Sequence, residues 1–253
     1  MKITFLGTGT SQGVPVIACP CEVCTSMDVK DKRLRTSVMI EDKGTTIVID
    51  TGPDFRQQML RAEVKKVDAV VFTHEHKDHI AGFDDIRAYN YILRRKMDVY
   101  ASMRVQEAIH REFAYIFNNK HYPGIPEIVL YTIVDKEFTI GEITLTPIHV
   151  LHYRLPVLGF RIGDFTYITD ANFIAEEEKK KILGSKVLVL NALRKETHIS
   201  HFTFDQAVEM ANELNAPQTY LTHLSHQMGL HNEVEKELPP SIKVAYDGLV
   251  IEM

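Results

Sequence analysis

Short apolar runs, alternating or continuous and bounded by turn residues, recur along the whole chain. They predict strands over 2–6, 37–40, 46–49 and 69–72. Further strands are predicted over 98–100, 128–134, 143–147, 158–162, 166–169, 187–190, 219–221, 243–245 and 249–251. Asp42-Lys43-Gly44 and Gly163-Asp164 supply hairpin turns. Pro53 suits the first turn of a helix over 53–61. Ser102 and Thr203 are placed to cap helices over 102–117 and 203–214. Ala207, Val208, Met210, Ala211 and Leu214 give the last of these its apolar positions. Helices over 80–93, 171–183 and 227–237 complete the reading. Strands that alternate with helices, many joined by tight turns, predict a layered α/β (α+β) protein with mixed sheets. No linker, repeat or low-complexity stretch divides residues 1–253, which are expected to form one domain.

Composition narrows the function classes. The 253 residues are 45% hydrophobic and 25% charged, ordinary for a globular protein with a sizeable core. Net charge is 29 − 34 = −5, so a broad basic footprint for nucleic acid is absent. Arg94-Arg95-Lys96 and Lys179-Lys180-Lys181 read as solvated helix ends. No run approaches the ~18 apolar residues of a membrane span, and Met1–Gly7 reads as a strand rather than a leader. The expectation is a cytoplasmic protein with no membrane partner. The three cysteines, Cys19, Cys21 and Cys24, fall within six residues. That odd, crowded set argues against a disulfide framework and for metal ligation.

The densest chemistry is Thr73-His74-Glu75-His76-Lys77-Asp78-His79, directly after the apolar run Ala69-Val70-Val71-Phe72. An extended segment points His74 and His76 the same way, and Asp78 and His79 follow where the chain turns toward a helix. Such a loop presents two ligands to one ion and two to a neighbour, and neutral imidazole with carboxylate suits Zn²⁺, Mn²⁺ or Fe²⁺. Cys19-x-Cys21-x₂-Cys24 supplies three thiolates, one short of tetrahedral zinc. Gly7-x-Gly9 after a strand fails as a dinucleotide fingerprint, because Gly13 comes one position late and Pro15 follows in place of a helix. Its expected role is a tight turn near the site, with backbone amides free for a phosphate.

His74-x-His76-x-Asp78-His79 resembles the signature of the metallo-β-lactamase-fold hydrolases. Later motifs follow in order: Gly159-Phe160-Arg161-Ile162, Tyr167-Ile168-Thr169-Asp170 and Leu221-Thr222-His223. The opening Gly7-Thr8-Gly9-Thr10-Ser11-Gln12-Gly13-Val14-Pro15, the clustered cysteines and Ala245-Tyr246-Asp247-Gly248 are similar to the PhnP-type subgroup, named for a phosphoribosyl cyclic phosphodiesterase. The resemblance implies a four-layer αββα sandwich with metals at one edge between the sheets. It implies one ion on His74, His76 and His152, with His149 as the alternative third histidine. A second ion would sit on Asp78, His79 and His223, with Asp170 and a hydroxide shared between the two. His226 would complete a separate structural zinc site with Cys19, Cys21 and Cys24. His201, before a helix, would act as general acid or phosphate binder beside Asp78 and Asp170. Asp50 is either a partner of a ligand imidazole or a turn-former, and His198 reads as a loop histidine. Arg33 and Arg35 are candidate phosphate contacts or surface arginines, while His110, His121 and His231 carry no signal.

The implied cofactors are two divalent ions, zinc or manganese, plus one structural zinc. The implied activity is hydrolysis of a small phosphodiester, a cyclic sugar phosphate among them, by attack of the bridging hydroxide. A tRNA 3′-processing-type ribonuclease and a thioester or lactone hydrolase are the alternatives, with a non-catalytic metal-binding or redox protein as a further class. Homodimerisation stays open.

Overall fold

Most of the apolar runs become strands, and alternate residues of one strand serve different cores. The computed structural model describes residues 1–118 and 124–253, so His121 lies outside the described residues. The first sheet holds β1 Lys2–Gly7, β2 Ser37–Asp42, β3 Thr45–Ile49, β4 Ala69–Val71, β5 Met97–Ala101 and β6 Ile128–Thr132. The second holds β7 Phe138–Ile140, β8 Ile143–His152, β9 Leu155–Ile162, β10 Phe165–Tyr167, β11 Phe173–Ile174, β12 Val187–Asn191, β13 Gln218–Thr222 and β14 Ile242–Val244. The chain then returns to the first sheet as β15 Val250–Glu252, beside β1.

In β3, Ile47 and Ile49 face a core between the sheets while Val48 faces outward. In β12, Val187 and Val189 face the same central core while Leu188 and Leu190 face the other outer layer. Both sheets are thus apolar on both faces and need helices outside. On the first sheet these include α2 Phe55–Arg61, α4 Arg87–Leu93, α5 Met103–Glu112 and α6 Ala114–Asn118. On the second they are α7 Glu176–Ile182, α8 Phe204–Leu214 and α9 His231–Glu237. Two short helices, α1 Glu22–Thr25 and α3 Lys77–Ile80, lie in the loops that carry the candidate ligands. The expected αββα sandwich is the observed fold. α8 shows the local logic: Thr203 and Gln206 form a reciprocal capping box, and Phe204, Ala207, Ala211 and Leu214 are buried.

Each sheet is antiparallel at one side and parallel at the other. β3, β4, β5 and β6 run parallel, as do β10, β12, β13 and β14. Carboxyl ends of parallel strands are where ligand sites assemble. Asp50 directly follows β3, the 73–79 loop follows β4, Asp170 follows β10 and His223 follows β13.

Several predicted helices are shorter than expected. Pro53 precedes α2, whose cap position is Asp54. The 80–93 helix is broken at Gly82, where a Cβ would lie 2.1 Å from the Gly52 carbonyl oxygen. The 102–117 helix breaks at Phe113, which caps α5. In the predicted 171–183 helix, Phe173 and Ile174 instead pair with Leu151 and Val150 at the edge of β8. Gly229, with φ at 112°, delays the last helix to His231. Strand β8 runs to His152, five residues past its predicted end at 147, and that extension decides which histidine reaches the site.

Candidate metal centre

Along β8, Ile148, Val150 and His152 share one face, and His149 lies on the other. His149 accordingly points out, 45% exposed, with Nε2 3.4 Å from Asp135. His152 points in, with its ring 5.1 Å from that of His76 and 5.9 Å from that of His74. The His74 and His76 rings lie 4.6 Å apart. These three imidazoles stand together.

Asp78, His79, Asp170 and His223 form a second group whose ligand atoms all lie within 4.8 Å of one another. His152, Asp170 and His201 form another. Asp170 belongs to both groups, and His74 and His76 to neither.

The supporting residues aim these groups. The Asp50 carboxylate accepts from the Thr73 backbone N–H at 2.9 Å, from the Thr73 hydroxyl at 2.8 Å and from His79 Nδ1 at 2.7 Å. With its proton given to Asp50, the Thr73 hydroxyl accepts from His74 Nδ1 at 3.0 Å. His152 Nδ1 donates to the Ser200 carbonyl at 2.7 Å. Three imidazoles therefore have Nδ1 fixed as donor, and each turns Nε2 the other way. Of the alternatives for Asp50, the geometry selects the partner of an imidazole, that of His79. Its backbone, like those of Asp170 and His223, is left-handed, with φ of 66°, 54° and 59°. Non-glycine residues hold that conformation where the surroundings enforce it, often at functional sites. Gly52 lets the ligand loop pack: a Cβ there would lie 2.1 Å from the Asp78 carbonyl oxygen.

The donor set fits divalent ions. His74 Nε2, His79 Nε2 and both ring nitrogens of His223 are buried with no hydrogen-bond partner. His79 Nε2 lies 3.3 Å from Asp78 and 3.2 Å from Asp170, and His223 Nε2 lies 3.1 Å from Asp170, yet none of these contacts has hydrogen-bond geometry. Unpaired nitrogens that converge on carboxylate oxygens are what a shared cation satisfies. Charge agrees. Burial alone would lower His223, but the Asp170 and Asp78 carboxylates outweigh it and hold it at about 9. Burial is likewise outweighed at His79, which Asp78, Asp170 and Asp50 hold well above its usual range. Cations bound here would take the place of those protons. Burial pushes His74 well down and His152 to about 4, leaving both neutral as ligands must be.

His201 directs Nε2 at Asp170 Oδ1, 3.1 Å away. Its ring centre lies 4.3 Å from that of His152 and 4.8 Å from that of His223. Burial lowers its proton affinity, and the Asp170 hydrogen bond opposes that.

The cysteine cluster is built differently. Cys19 Sγ and Cys21 Sγ each lie 3.3 Å from His226 Nδ1, and the four candidate donors lie within 4.8 Å of one another. The Cys24 backbone N–H and His226 pull the Cys21 thiol down to about 6, whereas burial raises Cys24 to about 11. Leu224, between the two histidines, is clamped by the first loop: its N–H donates to the Thr8 carbonyl at 2.9 Å, and its carbonyl accepts from Thr10 at 3.1 Å. One short segment thus serves both sites.

Two expectations change. The first loop offers less of an anion cradle than expected, because the amides of Gly9, Thr10 and Gly13 donate to the carbonyls of Leu34, Leu224 and Thr10. Arg33 is buried and bonds the Thr8 hydroxyl, the Ala245 carbonyl and His231 Nδ1, so a substrate cannot reach it. Arg35 is 29% exposed but tied to Asp54 and to the Ser11 carbonyl. His231 belongs to the Arg33 network, and His110 stacks on Phe117. The sequence reading missed Thr73 and Asn191. Asn191 pins the turn after Asp170 by bonding both the N–H and the carbonyl of Ala171, at 2.7 and 2.9 Å. A polar residue ending an apolar buried strand was the available signal. Among the described residues, no helix is long and apolar enough to cross a membrane.

Residues 45–224 match the model of the Beta-lactamase superfamily domain. The chain is 42% identical over 252 residues to an octanoyltransferase of Porphyromonas gingivalis, covering 98% of this chain and 51% of that protein. It is 26% identical over 166 residues to a ribonuclease Z of an Exiguobacterium species, covering 64% of this chain and 48% of that protein. The chain spans about half the length of both relatives. Among solved structures, a diphosphatase from the PhnP family superposes with a TM-score of 0.94 at 37% identity, covering 100% of this chain and 97% of that one.

Proposed function

The chain belongs to the β-lactamase superfamily and, within it, to the PhnP family, and from that premise we propose that it is a dinuclear metal-dependent phosphodiesterase acting on a small phosphodiester. The observation that carries this reading is Asp170, buried between two sets of inward-facing imidazoles. His74, His76 and His152 would hold one ion, Asp78, His79 and His223 the other, and Asp170 would touch both. Zinc or manganese suits this mixture of nitrogen and carboxylate ligands, and Cys19, Cys21, Cys24 and His226 would hold a third, structural zinc. Two divalent ions bound there supply a nucleophile from water near neutral pH and positive charge for the phosphoryl oxygens.

The chain's own residues do the rest. Asp50 and Thr73 hold His79 and His74 in one tautomer, so that their free nitrogens face the centre without rearrangement. His201 holds a proton on Nε2 within reach of the reacting group and gives it to the leaving oxygen as the P–O bond breaks. A cyclic phosphate on a sugar fits this assignment, because its alkoxide leaving group needs that proton.

A second reading is favoured by one observation: the relative with 42% identity is named an octanoyltransferase. That name belongs to a protein about twice as long as the matched region. It nevertheless keeps acyl chemistry open, since the same site can attack a thioester carbonyl. A substrate panel separates the two: bis(p-nitrophenyl) phosphate, cyclic sugar phosphates, an octanoyl thioester, a lactone and pre-tRNA. The proposal expects turnover of the phosphodiesters well above the acyl esters. Thioester hydrolysis with inert phosphodiesters would replace it with the second reading.

A further inference from the structure

The sequence reads His198 as an ordinary loop histidine, yet its ring meets that of His201. His201 turns Nε2 to Asp170 and Nδ1 the opposite way, where it lies 3.2 Å from His198 Nδ1. Two facing imidazole nitrogens share one hydrogen, so one must donate and the other accept. The backbone decides which. The Ser200 N–H donates to His198 Nδ1 at 3.4 Å, and an amide N–H cannot accept. His198 Nδ1 is therefore the acceptor; because His201 Nε2 donates to the Asp170 carboxylate, the charged His201 ring carries a hydrogen on each nitrogen and turns Nδ1–H to His198. The Ser200 hydroxyl lies 3.2 Å from His201 Nδ1 and 3.4 Å from His198 Nδ1, closing the cluster.

The loop carrying His198 is braced rather than free. Arg194 donates to the carbonyls of Glu196 and Thr197 at 3.3 and 2.8 Å and to the Gln227 side chain at 3.0 Å. Asn172 donates to the Ile199 carbonyl at 3.3 Å, and the Ser200 carbonyl receives His152. Burial, with His201 and Arg194 nearby, lowers His198 and suits it to accept.

We propose that His198 is a positioning residue that accepts from His201 Nδ1–H and so keeps Nε2 turned to the reacting group. This rests on the reading of the site as a hydrolase in which His201 supplies the leaving-group proton. As the P–O bond breaks, its electron pair goes to the leaving oxygen, which takes the proton from His201 Nε2. The neutral ring left behind keeps its hydrogen on Nδ1, the tautomer His198 accepts. Without His198, the remaining partner of Nδ1 is the Ser200 hydroxyl, which can donate or accept and so does not hold the hydrogen on that nitrogen.

Ring ¹⁵N NMR of the zinc-loaded full chain tests this without a substrate. His201 Nδ1 should carry the proton in the native protein. In His198→Ala the two tautomers should mix, and His198→Gln, which offers an amide oxygen as acceptor, should restore the native signal. In turnover, His198→Ala should lower kcat by roughly 10–100-fold for an alkoxide leaving group, as loss of a supporting partner does. KM should be unchanged, and the loss should be much smaller for p-nitrophenolate. His198→Gln should recover most of it, and His198→Ala should cost nothing further in a His201→Ala background. An unchanged His201 tautomer in His198→Ala would overturn the proposal, whatever the activity. If no phosphodiester turns over while the tautomer shifts as described, the proposed function fails and the positioning role stands.

Discussion

The histidine–aspartate centre and the cysteine cluster join at residues 223–226 but are made in opposite ways. In the first, His74 and His79 are fully buried, His223 is 1% exposed and Asp170 2% exposed, all set at strand ends contributed by both sheets. Asp50, Thr73 and Ser200 orient the rings from behind. In the second, Cys19 and Cys21 are half-buried in a loop whose own core is Val14, Val23 and Cys24 with a few partly buried neighbours. The difference separates two uses of a metal. Strand ends and their hydrogen-bond partners position the first set, and as proposed its seven donors for two ions would leave coordination positions open for chemistry. The second set would offer four donors for one ion, a closed site, with so few apolar contacts that the ion itself would order the loop.

The contrast can be broken or sharpened by substitution. The largest loss is expected for Asp78→Asn, which removes a charge that, as proposed, would hold the second ion. Occupancy at that position should fall, and turnover should drop beyond the about 10²–10⁴-fold typical of a lost acid. His201→Ala should come next, within that range, with both ions retained, and with a smaller deficit for p-nitrophenolate than for an alkoxide. Loss of an ion from His201→Ala would make it a ligand, a role its place beside His152 and Asp170 would also allow. Asp50→Asn, which keeps the shape but weakens the bond to His79, should cost about 10–100-fold in metal affinity or rate. Cys21→Ser should change kcat least. A loss of a few kcal/mol, at about 2–4 °C per kcal/mol for a chain this size, should lower Tm by roughly 5–10 °C. Full thermal stability with retained zinc would show that the cluster is not structural.

Much of this was legible in the sequence because the ligand loop is local. Four of its donors fall within six residues, behind an apolar strand, and both cores follow from strand periodicity. What was missed depends on non-local geometry. Whether His149 or His152 faces the centre turns on how far β8 continues beyond Pro147, and pairing with β9 sets that length. The 171–183 region has helix-forming residues, but edge pairing with β8 claims Phe173 and Ile174. Arg33 looks like a surface cation until the chain ends bring Thr8, Ala245 and His231 around it. His198 gave no sign in the sequence beyond lying three residues before His201.

The central claim is that these two regions hold metal independently, two ions in one and one in the other. Elemental analysis of the wild type, Asp78→Asn and Cys21→Ser, each loaded with zinc and freed of excess, tests it most directly. The account predicts three ions per wild-type chain, a reduced count in Asp78→Asn with the cysteine-bound zinc retained, and two in Cys21→Ser with the hydrolytic pair retained. A wild type that saturates at one ion would contradict it.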